Sequence, residues 1–151
     1  MNVSVAPAPL AIAAIADADI EAVVALWQRC GLTRPWNDPH ADIALARRRD
    51  NSTVLIGRDG GAIVATVMVG HDGHRGWVYY VAVDPDSRKR GHGRVIMAAA
   101  EDWLRQAGIA KLQLLVRREN TQAGAFYQSL GFAESTSVMF QKWLDGRGPT
   151  P

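Results

Sequence analysis

With a single cysteine, Cys30, the chain can form no intramolecular disulfide. That residue is expected to be a small packed side chain on a helix, not a reactive thiol. No basic residue precedes Arg29, whereas a secretory signal begins with a cationic stretch. The alanine-rich stretch from Leu10 to Ala16 falls far short of the roughly 20 apolar residues that a membrane-spanning helix needs. The expectation is a cytoplasmic protein with no membrane partner. A large charge of either sign is also missing, since 17 Lys and Arg face 15 Asp and Glu for a net +2. Such a chain is no polycation, so any preference for anions must come from local clusters. No repeats or low-complexity segments are visible, and 151 residues of ordinary globular composition fit one domain.

Two basic clusters stand out. Arg47, Arg48 and Arg49 read as the solvated last turn of a helix, where cations oppose the dipole. The second, "RKRGHGR" at 88–94, packs four cations and two glycines into seven positions without an acid. It lies between a stretch that reads as a strand and one that reads as a helix. A nucleic-acid binder would need a basic surface interleaved with aromatics, which is missing here, so no nucleic-acid partner is expected.

Along the chain, 1–9 read as a loose arm, 10–144 as the folded domain and 145–151 as a frayed tail. Leu10 to Ile15 predicts a strand, and Asp17 an N-cap for a helix over Ala18 to Cys30. "LTRPWNDPH" reads as a loop in which Asp38 caps a short helix starting at Pro39. Thr53 to Arg58 and Ala62 to Gly70 form a hairpin through Asp59-Gly60-Gly61. Trp77 to Val83 is a further strand, stopped by Asp84-Pro85. A helix from Gly93 to Gln106 should turn Val95, Ala99 and Trp103 inward, with Met97 or Leu104 as further inward positions. Lys111 to Val116 predicts a central strand, Asn120 caps a helix to Leu130, and Phe132 to Trp143 supplies one or two last strands. The pattern is one mixed sheet with helices over its faces.

The basic loop is neither a Walker loop, since Gly93-Arg94-Val95 lacks Lys-Ser/Thr, nor a dinucleotide fingerprint, since Ile96 stands where a third glycine belongs. What remains is Arg88-x-x-Gly91-x-Gly93 opening a helix, an arrangement whose backbone N–H groups and dipole suit a pyrophosphate. The stretch "VAVDPDSRKRGHGRVIM" resembles the acetyl-CoA-binding motif of the GNAT superfamily of N-acetyltransferases. "LLVRRENTQAGAFYQSLGF" is similar to that family's next segment: a strand, an Asn opening a helix, a Tyr seven residues on, and Leu-Gly-Phe. The proline-rich loop and "GHDGHRG" resemble segments of a less characterised bacterial subgroup.

The resemblance implies an α/β fold with a single mixed, mostly antiparallel sheet, splayed between strands 4 and 5 and flanked by about four helices. It implies acetyl-CoA as cosubstrate, with no metal, and transfer to a primary amine by direct attack in a ternary complex. Val81, Ala82 and Val83 would take the pantetheine arm. Lys89, Arg90, Gly91, His92, Gly93 and Arg94 would take the pyrophosphate, with Arg88 and Asn120 completing the cofactor set. Tyr127 matches the family's helix tyrosine, the proton donor to the departing thiolate. Leu115 stands where some members carry a glutamate base. That leaves water, or Asp72 and His74 of the loop before the fourth strand, to help remove the amine's proton. Arg34, Trp36, Asn37 and Asp38 are the candidates for an acceptor pocket. Two acceptor classes stay open, a small amine and a protein amino group, as do two assemblies, a monomer and a homodimer. The alternative from another class is a CoA-binding sensor or interaction module that does not turn over.

Overall fold

The computed structural model describes residues 10–148. The expected arm at 1–9 and the last three residues of the expected tail lie outside that range. Packing divides the chain into one compact unit ending at Leu115 and a second beginning at Val116.

The first unit contains β1 (Ala11–Ala14), α1 (Ile20–Arg29), α2 (Pro39–Ala46), β2 (Ser52–Asp59), β3 (Ala62–His71), β4 (Gly76–Val83), α3 (His92–Gln106) and β5 (Leu112–Gln113). The strands lie in the order β1-β2-β3-β4-β5, antiparallel except for the parallel β4–β5 pair. The β2–β3 hairpin turns at Gly60 and Gly61, both at positive φ (58° and 94°), the two-residue turn that matches strand twist. In α2, Pro39 takes the first helical position while the Asp38 carboxylate accepts from the His40 and Ala41 N–H groups.

Asp17 does not cap α1. Residues Asp17–Asp19 form a 3-10 turn, and Asp19 closes it. The Asp19 N–H donates to the Ala16 carbonyl (2.9 Å), and its Oδ2 accepts from the Ala16 N–H (2.8 Å). Its Oδ1 accepts from Arg58 of β2. The Ala16 N–H, followed by Arg58, holds the Asp19 carboxyl below the usual carboxylate range against the opposing effect of burial. The chain prefers Asp19 because only this acid reaches both the turn and a cation on the sheet.

One face of the sheet packs on α1 and α2. Val23, Val24, Leu26 and Trp27 of α1 and Ile43 of α2 lie over Val54, Ile56 and Ala82. Each such side chain contributes on the order of 2 kcal/mol by leaving water. Strand alternation turns the equally buried Leu55, Val67 and Val69 to the opposite face, where α3 packs. The inward stripe of α3 is His92, Ile96, Met97, Ala100 and Leu104, not Val95, Ala99 and Trp103; Val95 is 40% exposed. The reason lies on β4. A Cβ at Gly76 would sit 2.5 Å from Leu104 Cδ1, so Leu104 occupies the space that this glycine leaves and thereby sets the rotation of the helix.

The Lys111–Val116 strand is shorter than expected and lies at the end of the sheet. Only Leu112 and Gln113 pair, with Gly76 and Trp77, and Leu115 is half exposed. Beyond Trp77 the β5 side of β4 carries no strand among the described residues, which is the splayed opening.

The second unit contains α4 (Thr121–Ser129), capped by Asn120, whose side-chain oxygen accepts from the Ala123 N–H. Gly131, at φ 96°, ends it. The strands expected over Phe132 to Trp143 are not formed among the described residues, and Val138, Met139 and Phe140 are exposed. An apolar run becomes a strand only when a partner ladder receives it, and a period in the sequence does not supply the partner.

Candidate functional site

The site begins at an irregularity in β4. Thr66 faces Ala82 and Met68 faces Tyr79, so Tyr80 and Val81 together oppose Val67. This is a β-bulge, and its first residue, Tyr80, has φ 51°. Left-handed backbone in a non-glycine residue costs roughly 1–2 kcal/mol, so something must hold it. Trp27 stacks on the Tyr80 ring at 3.7 Å and 7°. The Tyr80 hydroxyl donates to Asp42 Oδ2 at 2.7 Å. The fully buried Thr66 hydroxyl donates to the Tyr80 carbonyl (2.9 Å) and accepts from Trp27 Nε1–H (2.8 Å). The strained carbonyl is thus tied into the core by a chain of two buried hydrogen bonds. Burial, and then the Asp42 carboxylate, push the Tyr80 phenol pKa well above its ordinary value. Past the bulge, Val81, Ala82 and Val83 run along the opening, and the Val83 carbonyl accepts from the Cys30 thiol at 3.3 Å. Cys30 is packed at the end of α1, as its size suggests.

The chain next passes a short turn, where Asp84 accepts from the Asp86 N–H, and enters the glycine loop. Lys89 and Gly91 both have positive φ (65° and 79°). Gly91 is the N-cap of α3 and no side chain caps the helix, so the N–H groups of its first turn carry no side-chain acceptor. Arg88, Lys89, Arg90 and Arg94 are exposed and make no ion pair among the described residues. A Cβ at Gly91 would meet nothing within 4 Å, so the loop can be approached closely. Open backbone, a helix N-terminus and exposed cations fit a pyrophosphate. His92 faces inward, buried, its Nε2 without a hydrogen-bond partner among the described residues.

On the α2 side of β3 and β4 lies an open cavity of about 420 Å³. Asn37, Asp42 and Leu45 line it from the α2 side, Met68, His71, Trp77, Tyr79 and Tyr80 from the strands, and Asp72 from the turn between β3 and β4. Two of the six loop residues singled out in the sequence, Asn37 and Asp72, are part of this lining. His74 is not, nor is Arg34, which donates to the carbonyls of Gly31 and Thr33. Asp38 is the helix cap, and Trp36 does not line the cavity. Asp72 also builds its own turn: its Oδ1 accepts from the His74 and Arg75 N–H groups, and the Arg75 and His74 amides lower its pKa. Sequence reasoning missed Asp42, Thr66 and Tyr80. The only local sign was the doubled tyrosine Tyr79-Tyr80, which breaks strand alternation where the bulge falls.

In the second unit, Tyr127 sits between Phe126 (centroids 5.0 Å apart) and Phe132 (5.7 Å), both edge-on. Burial pushes its phenol above the ordinary value. Among the described residues no group of three or more metal-ligating side chains is placed to hold an ion, and no helix is long and apolar enough to cross a membrane.

Known proteins agree with this geometry. The family model described as Acetyltransferase (GNAT) family matches residues 19–132. An acetyltransferase of Yersinia enterocolitica is 40% identical over 126 residues, which are 83% of this chain and 89% of that protein. The ribosomal-protein-S18-alanine N-acetyltransferase of Escherichia coli superposes with a TM-score of 0.72 at 27% identity, covering 91% of this chain and 87% of that one. An aminoglycoside N-acetyltransferase solved with CoA shares the fold, with a TM-score of 0.75 at 21% identity over 89% of this chain and 95% of that one. Because the match runs through the bulge, the glycine loop and α4 alike, one assignment follows: the chain is an N-acetyltransferase of the GNAT family.

Proposed function

We propose that the protein transfers an acetyl group from acetyl-CoA to a primary amine by direct attack within a ternary complex. The observation that carries this reading is the juxtaposition of an open, bulged β4 edge with the glycine loop at the N-terminus of α3. Acetyl-CoA supplies an activated thioester. The backbone and cations of Lys89 to Arg94 hold its pyrophosphate, and Val81 to Val83 present main-chain groups to its arm and to the developing oxyanion.

The amine attacks in its neutral form, because an ammonium with a pKa of about 8–10 has no lone pair to offer. With Leu115 in place of an acid, the amine loses its proton to water, and Asp72, an anion on the cavity wall, orients the ammonium beforehand. Attack forms the C–N bond and a tetrahedral oxyanion, whose collapse breaks the C–S bond. The departing thiolate takes the Tyr127 proton, and the proton shed by the new amide nitrogen passes through water and restores the phenol. A phenol whose pKa burial has raised remains protonated at neutral pH, as this role requires.

The test is release of free thiol from acetyl-CoA across a panel of primary amines. Amine-dependent release supports transfer, and its absence with every amine, despite CoA binding, indicates a non-turning-over CoA module. Among amines that react, the rising limb of kcat/KM against pH should follow the amine's own pKa. A limb that ignores the amine and vanishes in His74→Ala would make His74 the base.

A further inference from the structure

We propose that the cavity between α2 and the β3–β4 hairpin is the acceptor site and that it selects an organic cation with an apolar body, anchored by Asp42. The assignment rests on the transferase reading and deepens it. Position links the cavity to the reaction: Tyr79 and Tyr80 are at once its wall and the start of the bulge that leads into Val81. At about 420 Å³ it suits a small molecule or the end of one long side chain.

Its chemistry is one-sided. Asp42 and Asp72 contribute carboxylates, no lysine or arginine lines it, and the one imidazole in the lining, His71, uses its Nδ1 to accept from the Gly73 N–H. Leu45, Met68 and the rings of Trp77, Tyr79 and Tyr80 form an apolar and aromatic wall beside them. An acceptor bearing a carboxylate or phosphate would meet like charge from two carboxylates here, with no lysine or arginine to offset it. An ammonium or guanidinium meets a carboxylate and aromatic walls, both of which favour positive charge.

Asp42 is the anchor because it is held in place. The Tyr80 hydroxyl donates to its Oδ2, while its Oδ1 carries no hydrogen bond among the described residues. Trp27, which is no part of the lining, stacks on the Tyr80 ring and fixes it. The carboxylate therefore meets a ligand already oriented, with one oxygen open.

A probe that cannot be acetylated separates this inference from the reaction. Binding of benzyltrimethylammonium is compared by calorimetry with that of benzyl alcohol and phenylacetate, on the CoA-bound protein. The expected order is cation at least about tenfold tighter than alcohol, with phenylacetate weakest. Asp42→Asn keeps an acceptor for the Tyr80 hydroxyl but removes the charge; it should weaken the cation about tenfold and leave the alcohol and CoA within twofold. Tyr79→Leu, at a half-exposed position that threatens folding little, should weaken the cation severalfold and the alcohol less. Equal binding of the three probes, or cation binding untouched by Asp42→Asn in a folded variant, overturns the proposal. If amines are acetylated but benzyltrimethylammonium does not compete with them, this site assignment falls and the transferase reading stands. If the cation binds as expected but no amine is acetylated, the site stands and the transferase reading falls.

Discussion

The glycine loop and the β4 bulge are neighbours in the chain, built by opposite means. In the loop, the cations and glycines lie within 88–94, the cations are exposed, and the left-handed positions are the exposed Lys89 and Gly91, the glycine that opens α3. In the bulge, a tyrosine is left-handed, and the groups that hold it come from Trp27, Asp42 and Thr66, on α1, α2 and β3. Except for the buried His92, the loop is exposed or half-buried and no side chain from another element holds its backbone turn. The bulge is a strained backbone stabilised by burial and hydrogen bonds from three other elements. Damage to the first should weaken cosubstrate binding and spare the rest, whereas damage to the second should reach both turnover and stability.

The largest effect is expected at Tyr127, which the motif alone identified. Tyr127→Phe preserves ring packing and should leave CoA affinity unchanged while kcat falls about a hundredfold or more, as removal of a general acid does. Wild-type turnover by this variant, with a verified acceptor, would reduce Tyr127 to packing between Phe126 and Phe132.

Next comes Thr66→Val, an isostere without the hydroxyl. It leaves the Tyr80 carbonyl and the Trp27 indole N–H unpaired in the core, which costs about 1–3 kcal/mol. Displaced backbone at the bulge should lower kcat by about ten- to a hundredfold, with CoA affinity within twofold. Thr66→Ser restores the hydroxyl and should recover most of both. A Val variant that loses CoA affinity but not kcat would erase the contrast drawn above.

Gly91→Val is the mirror experiment. No neighbour stands in the way of the new side chain, but φ 79° disfavours it and its bulk sits where the backbone must be approached. CoA affinity by calorimetry should fall about tenfold, with kcat at saturation nearly unchanged. Undiminished affinity in a folded variant would remove the pyrophosphate from this loop.

The same division between local and long-range explains what was legible in the sequence. Devices written in a few consecutive residues were read correctly: the Gly60-Gly61 hairpin, the Asp38 and Asn120 caps, the glycine ends of helices, and the place of the glycine loop at the start of α3. The antiparallel pairing of β2 with β3 followed from that hairpin, whereas the mostly antiparallel sheet as a whole was implied by the family resemblance. What failed depended on partners far away in the chain. The rotation of α3 is set by Leu104 on Gly76, so the helical period alone offered Met97 and Leu104 only as alternatives beside Val95, Ala99 and Trp103. The turn acid is Asp19 rather than Asp17 because Arg58 stands on β2. The short β5 and the absent strands over Phe132 to Trp143 depend on whether a ladder is available. At the site, the acids and aromatics of the proline-rich loop drew attention, yet the side chain that bonds to Tyr80 is Asp42, one turn into α2.

Asp19 tests the division where no ligand is involved. Asp19→Asn keeps the side chain's shape and an acceptor for the Ala16 N–H, but removes the charge that Arg58 and that N–H stabilise. At neutral pH the variant should be less stable by about 1 kcal/mol, the usual scale for a turn or cap interaction. The sign of its pH dependence follows from the lowered pKa. The folded state holds Asp19 ionised to lower pH than the unfolded state does, so its contribution is present in full above the unfolded value. It is lost as pH falls through the folded one. Urea midpoints of wild type and variant should therefore differ by a constant amount from pH 7 down to about 5, and converge below about 4. A gap that persists undiminished to the lowest pH at which both fold would mean that Asp19 acts through shape alone and that the Arg58 pair adds nothing.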